Sequence, residues 1–82
     1  NGATTFTRVL KYGVKGNDVI ELKKLLIAKG YGKGITTNTS SSRNFYGSTR
    51  TAVKNFQRDN GLTIDGKAGK KTITALGGKW NG

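Results

Sequence analysis

The chain has no cysteine and no histidine among its 82 residues, and only four Asp and Glu. Without cysteine it can form no disulfide and offers no thiolate to a metal ion. Without histidine it lacks the commonest base and metal ligand at neutral pH. The four carboxylates are too few and too scattered to suggest an acid-base pair. We therefore expect no catalytic residue, no metal site and no cofactor, which means that the chain is not itself an enzyme.

Basic residues are abundant by contrast, with 15 Lys and Arg and a formal net charge of +11. Such an excess predicts an anionic partner, and charge alone leaves nucleic acid, acidic lipid and a cell-wall polymer open. No apolar run approaches the roughly 18 residues of a membrane span, and no signal-peptide pattern opens the chain. Because the sequence begins at Asn1 without methionine, we expect it to be a piece of a longer protein.

The length of the chain supports one small domain, since about 60% of the unfolded surface is buried at this size. We expect a frayed segment over 1–8, a single domain over 9–78 and a short tail over 79–82. Eight of the thirteen residues over 32–44 are Ser, Thr or Asn, which predicts a long surface loop. Proline is absent and glycine occurs 13 times, so we expect positive-φ glycines to form the turns.

Hydrophobic periodicity predicts an all-α fold, a small three-helix bundle with long connecting loops. The first helix opens after Asn17-Asp18, where Asp18 and Glu21 are spaced as a variant capping box, and it ends at Gly30. The second helix begins at Ser48 as N-cap and ends near 60–61, and the third runs from about 69 to 77–78. The apolar positions predict this core: Leu10, Val19, Leu22, Leu25, Leu26, Val53, Phe56, Leu62, Ile64, Ile73 and Leu76.

Two segments, 47–53 and 69–76, repeat a pattern of Gly, a short polar step and Thr-x-x-Ala-aliphatic. They are joined by the motifs of 10–19, Gly30-Tyr31, Phe56-Gln57 and 61–69. Taken in chain order, these motifs resemble the type 1 peptidoglycan-binding domain of bacterial and phage cell-wall hydrolases. The resemblance covers residues 9–76. The resemblance implies the three-helix PGBD-like fold. It also implies noncovalent attachment of a linked lytic enzyme to the wall, with no chemistry of its own.

Side-chain chemistry suggests where a ligand binds. Arg50, Lys54 and Arg58 are spaced as one row on the second helix, and Lys67, Lys70 and Lys71 extend the positive potential, although a solvated surface row explains them too. Phe45, Tyr46 and Trp80 are candidates for stacking on a sugar, with burial an equal alternative for Phe45. The free N–H groups after Gly47 and Gly69 are candidates to hold a peptide-stem carboxylate. The predicted ligand-binding residues are Tyr46, Ser48, Thr49, Arg50, Lys54 and Lys67.

The predicted partner is peptidoglycan, with teichoic acids as a further anionic partner and a linked amidase, muramidase or endopeptidase in the parent protein. We expect a monomer, outside the cell at the wall and without a membrane contact. The alternative is a nonspecific polyanion-binding domain. Specific DNA recognition is disfavoured because neither candidate helix presents a clear outward set of Asn, Gln and Arg. An inhibitory prodomain of a metalloprotease is disfavoured because no cysteine is present to bind zinc.

Overall fold

A computed structural model describes residues 5–35, 37 and 40–81. The elements, in chain order, are β1 (Thr5–Phe6), α1 (Asn17–Ala28), a 3-10 turn (Ser40–Arg43), α2 (Gly47–Asp59), α3 (Lys70–Ala75) and β2 (Lys79–Trp80). The prediction of a three-helix, mostly helical fold is confirmed. No helix within these described ranges is long and apolar enough to cross a membrane.

The two ends of the described chain pair with each other. β1 and β2 are two-residue parallel strands that place Thr5 opposite Lys79 and Phe6 opposite Trp80. Phe6 is fully buried in the core. The prediction of a frayed segment was therefore wrong for these two residues, because burial of Phe6 and pairing with β2 hold them in place. Residues 1–4 of the predicted frayed segment and residue 82 of the predicted tail lie outside the described residues.

The helices end where glycine was predicted to end them, but they begin differently. Positive φ angles of +91° at Gly30, +69° at Gly61 and +92° at Gly77 confirm the three stops. The predicted caps at Asp18 and Ser48 were wrong, because the N-caps are Gly16 and Tyr46 and neither makes a side-chain cap bond.

Contacts elsewhere in the fold explain both displaced caps. The Asp18 carboxylate accepts hydrogen bonds from Arg8 and from its neighbour's amide, and Glu21 pairs with Lys24. Phe45 exchanges backbone hydrogen bonds with the loop at 13–14, which keeps the chain extended before α2 starts at residue 47.

The core lies where the three helices meet, and most of its members were predicted. Leu25 and Leu62 are only half-buried against it. Ile64 was predicted wrongly, because it sits in a tight turn closed by the Asp65 N–H and the Thr63 carbonyl and is 53% exposed. The predicted core list omitted Phe6, Ile35, Ala52 and Ala68, and burial was one of two predicted alternatives for Phe45. The buried apolar set is Phe6, Leu10, Val19, Leu22, Leu26, Ile35, Phe45, Ala52, Val53, Phe56, Ala68, Ile73 and Leu76.

Two backbone bridges position the segment before α1. Leu10 exchanges hydrogen bonds of 3.1 and 2.7 Å with Ala68, and Lys15 forms an antiparallel bridge with Asn44. The residues between these bridges are therefore held between the loop that precedes α3 and the start of α2. Sequence-distant segments meet here, and they enclose the cavity described next.

Candidate functional site

A cavity of about 190 Å³ lies where the segment before α1, the helix α2 and the loop before α3 come together. We call it the Gly66 groove, and its lining is Lys11, Tyr12, Arg50, Asp65, Gly66 and Lys67. The Leu10–Ala68 bridge places Lys11 beside Lys67 in the fold, since each is the next residue to a bridge partner. The groove therefore rests on a backbone framework that brings three separate segments together.

A buried glutamine fixes the loop that forms one wall of the groove. Gln57 of α2 is 1% exposed, and its Oε1 accepts a hydrogen bond of 3.0 Å from the Gly66 N–H. Its amide nitrogen shares two hydrogens among three acceptors, Asp65 Oδ1 and the Lys67 carbonyl at 2.9 Å and Thr72 Oγ1 at 3.1 Å. One side chain thus ties residues 65–67 to α2 and α3, so the loop is held in place before any ligand arrives.

Gly66 is required by geometry as well as by its hydrogen bond. Its φ of +73° lies in the left-handed region, which glycine adopts without strain. A Cβ at this position would lie 3.1 Å from Arg50 Cγ and 3.2 Å from Lys54 Cε. The long side chains of Arg50 and Lys54 therefore lie across the glycine, and Lys54 joins the groove although it is not part of the cavity lining.

All four acidic side chains of the chain are engaged. Arg8 makes a bidentate ion pair with Asp18, and this contact is the main cause that lowers the pKa of Asp18 from its ordinary value. Hydrogen bonds from Tyr31 and Arg58 lower the pKa of Asp59.

The remaining two carboxylates are Glu21, which pairs with Lys24 at 3.4 Å, and Asp65. The pKa of Asp65 is lowered chiefly by the hydrogen bond from the Lys67 N–H. Hydrogen bonding to its charged form keeps Asp65 ionised beside the groove.

The groove is left with an excess of positive charge. Lys11, Arg50, Lys54 and Lys67 form no ion pair with any carboxylate of the described chain. Four cations therefore face the single carboxylate of Asp65. Such a cluster creates a positive potential that attracts carboxylates and phosphates.

Two exposed tyrosines flank the cations. Tyr12 and Tyr46 are 58% and 53% exposed, and their ring centroids are 6.2 Å apart with an interplanar angle of 47°. Their neighbour Phe45 is fully buried, so of its two predicted roles the structure supports burial. The tyrosine pair presents apolar rings and hydroxyl groups next to the charged groove, a combination that suits a ligand with both apolar and polar parts.

The predicted ligand residues fall into three groups. The groove gathers four of them, Tyr46, Arg50, Lys54 and Lys67. Ser48 lines a separate cavity. Thr49 is fully buried, and its hydroxyl has no hydrogen-bond partner in the described chain. Sequence reasoning missed Lys11, Tyr12 and Gly66. The motifs of 10–19 and 61–69 contain all three residues, but nothing in the sequence indicated that they meet.

The other predicted cations take different places. Arg58, the last member of the predicted basic row on α2, pairs with Asp59 at 3.2 Å. Its charge is therefore neutralised, whereas the two members at the groove remain unpaired within the described ranges. Lys70 and Lys71 line a further cavity of about 310 Å³ together with Val9, Leu62 and Lys67.

Trp80, the third aromatic candidate, is half-buried against the core through β2. In the described part of the chain, no group of three or more Asp, Glu, His or Cys side chains is placed to hold a metal ion.

Comparison with known proteins places the chain in a family. The family model described as "Putative peptidoglycan binding domain" matches residues 15–76. The spore cortex-lytic enzyme of Bacillus cereus is 38% identical over 69 residues, which cover 84% of this chain and 25% of that enzyme. The chain thus spans about a quarter of the length of this curated relative.

Solved structures agree with the family match. The crystal structure of the SleB N-terminal domain has a TM-score of 0.70 and 35% identity, covering 89% of this chain and 93% of that one. The Burkholderia AP3 phage endolysin has a TM-score of 0.70 and 36% identity, covering 84% of this chain and 24% of that one. The matched region is about a quarter of the spore cortex-lytic enzyme and of the phage endolysin. The chain belongs to the peptidoglycan binding domain family.

Proposed function

We propose that the chain binds peptidoglycan through the Gly66 groove and its two flanking tyrosines, and so anchors an attached lytic enzyme to the bacterial cell wall. The observation that carries this proposal is the excess of four groove cations over the single carboxylate of Asp65, none of them in an ion pair within the described chain, at a site whose loop is fixed by Gln57. The stem peptides of peptidoglycan carry carboxylates. Carboxylates bind Arg and Lys through charge-assisted hydrogen bonds.

Each part of the groove has a role in this proposal. Arg50 offers a planar fork for a carboxylate, while Lys54 and Lys67 contribute point charges on flexible stems. Tyr12 and Tyr46 pack against the apolar parts of the bound ligand. The fixed loop lowers the entropy cost of binding, because its backbone is ordered in advance.

The size of the relatives supports the proposed anchoring role. The Bacillus cereus enzyme and the phage endolysin are each about four times as long as their matched region. We propose that the parent of this chain likewise joins the binding domain to a catalytic domain, an amidase, muramidase or endopeptidase, and acts outside the cell at the wall. The four carboxylates of this chain are used in ion pairs, hydrogen bonds and the groove wall, so we assign it binding and not catalysis.

Nonspecific attraction to polyanions is the second candidate function. The charge of +11 and the further lysines at 70 and 71 favour it, because they spread positive potential beyond the groove. Binding of this kind responds to the total charge and weakens steeply with salt. Teichoic acids and nucleic acids are both ligands of that type.

Co-sedimentation with purified sacculi separates the two functions. The protein is mixed with sacculi that either retain or lack teichoic acids, from about 50 mM to about 500 mM salt. The Arg50→Gln/Lys54→Gln variant is compared with Lys24→Gln, which removes a positive charge from an exposed pair on α1. Peptidoglycan binding predicts retention on stripped sacculi at high salt and a larger loss for the groove variant. The polyanion function would be established instead if sacculus binding fell by the same factor for each charge removed in the two variants and was not retained at high salt.

A further inference from the structure

A second cavity of about 190 Å³ lies on the other flank of α2, against the turn that follows α1. Its side-chain lining includes Tyr31, Lys33, Ser48, Thr51 and Asn55. On α2 the last three residues are spaced i, i+3 and i+7, so they share one side of the helix. The cations of the Gly66 groove, at positions 50 and 54, occupy a different side.

Tyr31 is a fixed wall of this cavity. Its hydroxyl donates a 2.6 Å hydrogen bond to Asp59 Oδ2, and its ring meets Phe56 edge-on, with centroids 5.5 Å apart and an interplanar angle of 88°. Its backbone N–H donates to the Leu26 carbonyl at 2.8 Å, directly after Gly30 with its φ of +91°. The ring therefore loses little freedom when a ligand packs against it.

The polar groups that α2 contributes to the cavity are uncharged and available. Ser48, Thr51 and Asn55 make no side-chain hydrogen bond within the described ranges. Two hydroxyls and one amide supply both donors and acceptors, whereas the groove around Gly66 supplies cations. Lys33 is the one charged residue of the described lining, and it is exposed.

We infer that this cavity binds one uncharged sugar ring of the N-acetylhexosamine class, with Tyr31 against the ring and the hydroxyl and amide groups of α2 on its polar edge. The inference rests on the proposed function and assigns the two parts of peptidoglycan to two different sites. The groove around Gly66 holds acidic peptide, and the cavity at Tyr31 holds glycan. The volume favours a single ring, since it is below the roughly 300 Å³ at which pockets for drug-sized ligands begin.

The two sites flank one helix of about 10 Å diameter, so a ligand that carries sugars and acidic peptides side by side can reach both. An aromatic wall with neutral hydrogen-bonding groups suits a ligand with an apolar ring face and a polar rim. Because this recognition involves no ion pair with the sugar, we expect it to depend little on salt.

The test titrates isotope-labelled protein with tri-N-acetylchitotriose, a neutral oligosaccharide, and follows the backbone amide shifts by NMR. The inference predicts shifts over 30–33 and 48–55 that are the same at low and high salt. The Thr51→Ala/Asn55→Ala variant is expected to bind about tenfold more weakly, because it loses two hydrogen-bonding groups. Lys24→Gln is the control, because Lys24 lies on α1 outside both cavity linings, and it should leave the titration unchanged. The amide spectrum of each free variant verifies its fold.

The outcomes separate this inference from the proposed function. Shifts confined to Tyr12, Tyr46 and the Gly66 loop would overturn the cavity assignment, as would equal affinity of the double variant and the parent chain. No response to the sugar, together with retained sacculus binding, would overturn the inference and leave the proposed function standing. Failure of the chain to bind either sacculi or the sugar would overturn both.

Discussion

The Oε1 atom of Gln57 accepts a 3.0 Å hydrogen bond from the backbone N–H of Gly66, and this contact links the core to the candidate binding surface. Gln57 is buried among the core-facing residues of α2, whereas Gly66 lies between two exposed residues of a loop. The same glutamine donates to the Lys67 carbonyl and to Thr72 at the start of α3. The shape of the groove therefore depends on a polar side chain inside the fold.

Replacing this glutamine should destabilise the fold. Gln57→Leu keeps most of the volume but leaves the Gly66 N–H and the Thr72 hydroxyl without their partner. We expect the free energy of unfolding to fall by about 2 to 4 kcal/mol, because unpaired buried polar groups are costly. Urea unfolding measures the change. The adjacent exposed position provides the control, since Arg58→Gln should change the stability by less than about 0.5 kcal/mol. Similar stability of the two variants would show that the network does not hold the loop.

Gly66→Ala should impair both stability and binding, and Gly61→Ala separates the two effects. The φ angles are +73° and +69°, so both substitutions impose similar backbone strain, about 1 kcal/mol. A Cβ at Gly61 meets no atom within 4 Å, whereas at Gly66 it approaches Arg50 and Lys54. We therefore expect both variants to lose stability in urea unfolding, and the Gly66 variant alone to lose sacculus affinity. Equal affinity of the two variants would contradict the placement of the cations at this glycine.

The tyrosine pair should contribute to binding and little to stability. Tyr12→Ala and Tyr46→Ala remove exposed rings, so each thermal unfolding midpoint should stay near that of the parent chain. Sacculus affinity should fall about three- to tenfold, the size expected for one aromatic contact. Phe45→Ala is the contrasting control, because this neighbour is fully buried and its loss should cost about 3 to 5 kcal/mol. Unchanged affinity in both tyrosine variants would remove the pair from the site.

Much of the fold was predictable because it depends on local patterns. Apolar spacing identified the helices, and Gly30, Gly61 and Gly77 marked their ends through the positive φ that each turn requires. The helix starts were less predictable, since a cap competes with tertiary contacts. Asp18 pairs with Arg8, ten residues earlier in the chain, and this partner is not visible in the local sequence.

The site was only partly predictable because it is assembled from distant segments. Arg50 and Lys54 share one helix, so their spacing revealed them. Tyr12 meets Tyr46 only after the backbone of Gly13 and Val14 bonds to Phe45, a contact across some thirty residues. Thr49 was chosen for its place at a helix start, but its side chain is fully buried in the fold. Composition and periodicity carry no information about such pairings.

The Arg8–Asp18 pair should make stability depend on pH in the acid range. Its hydrogen bonds hold the pKa of Asp18 below the ordinary value of 3.8. A carboxyl group with a lowered folded-state pKa stabilises the fold above the unfolded-state pKa. It loses this contribution as the pH falls through the folded-state value. Arg8→Gln should therefore be less stable than the parent chain near neutral pH, and the difference should shrink as the pH falls from about 4.

Urea unfolding at about pH 7 and at several values below about pH 4 tests this expectation. Lys24→Gln serves as the control, because it also removes one positive charge but leaves Asp18 paired. Comparing the two variants corrects for the repulsion that grows as the whole chain becomes more positive in acid. A stability difference between Arg8→Gln and the parent chain that is the same at every pH would contradict the pairing.

The most direct test of the binding surface is an NMR titration of the chain with a soluble muropeptide that carries an acidic stem. Peptidoglycan binding through the Gly66 groove predicts that amide shifts concentrate at Lys11–Gly13, Tyr46 and Asp65–Lys67. It also predicts that the shifts persist at about 300 mM salt. Shifts scattered over the lysines of the whole surface and abolished by that salt would contradict the account and indicate nonspecific attraction by the net charge.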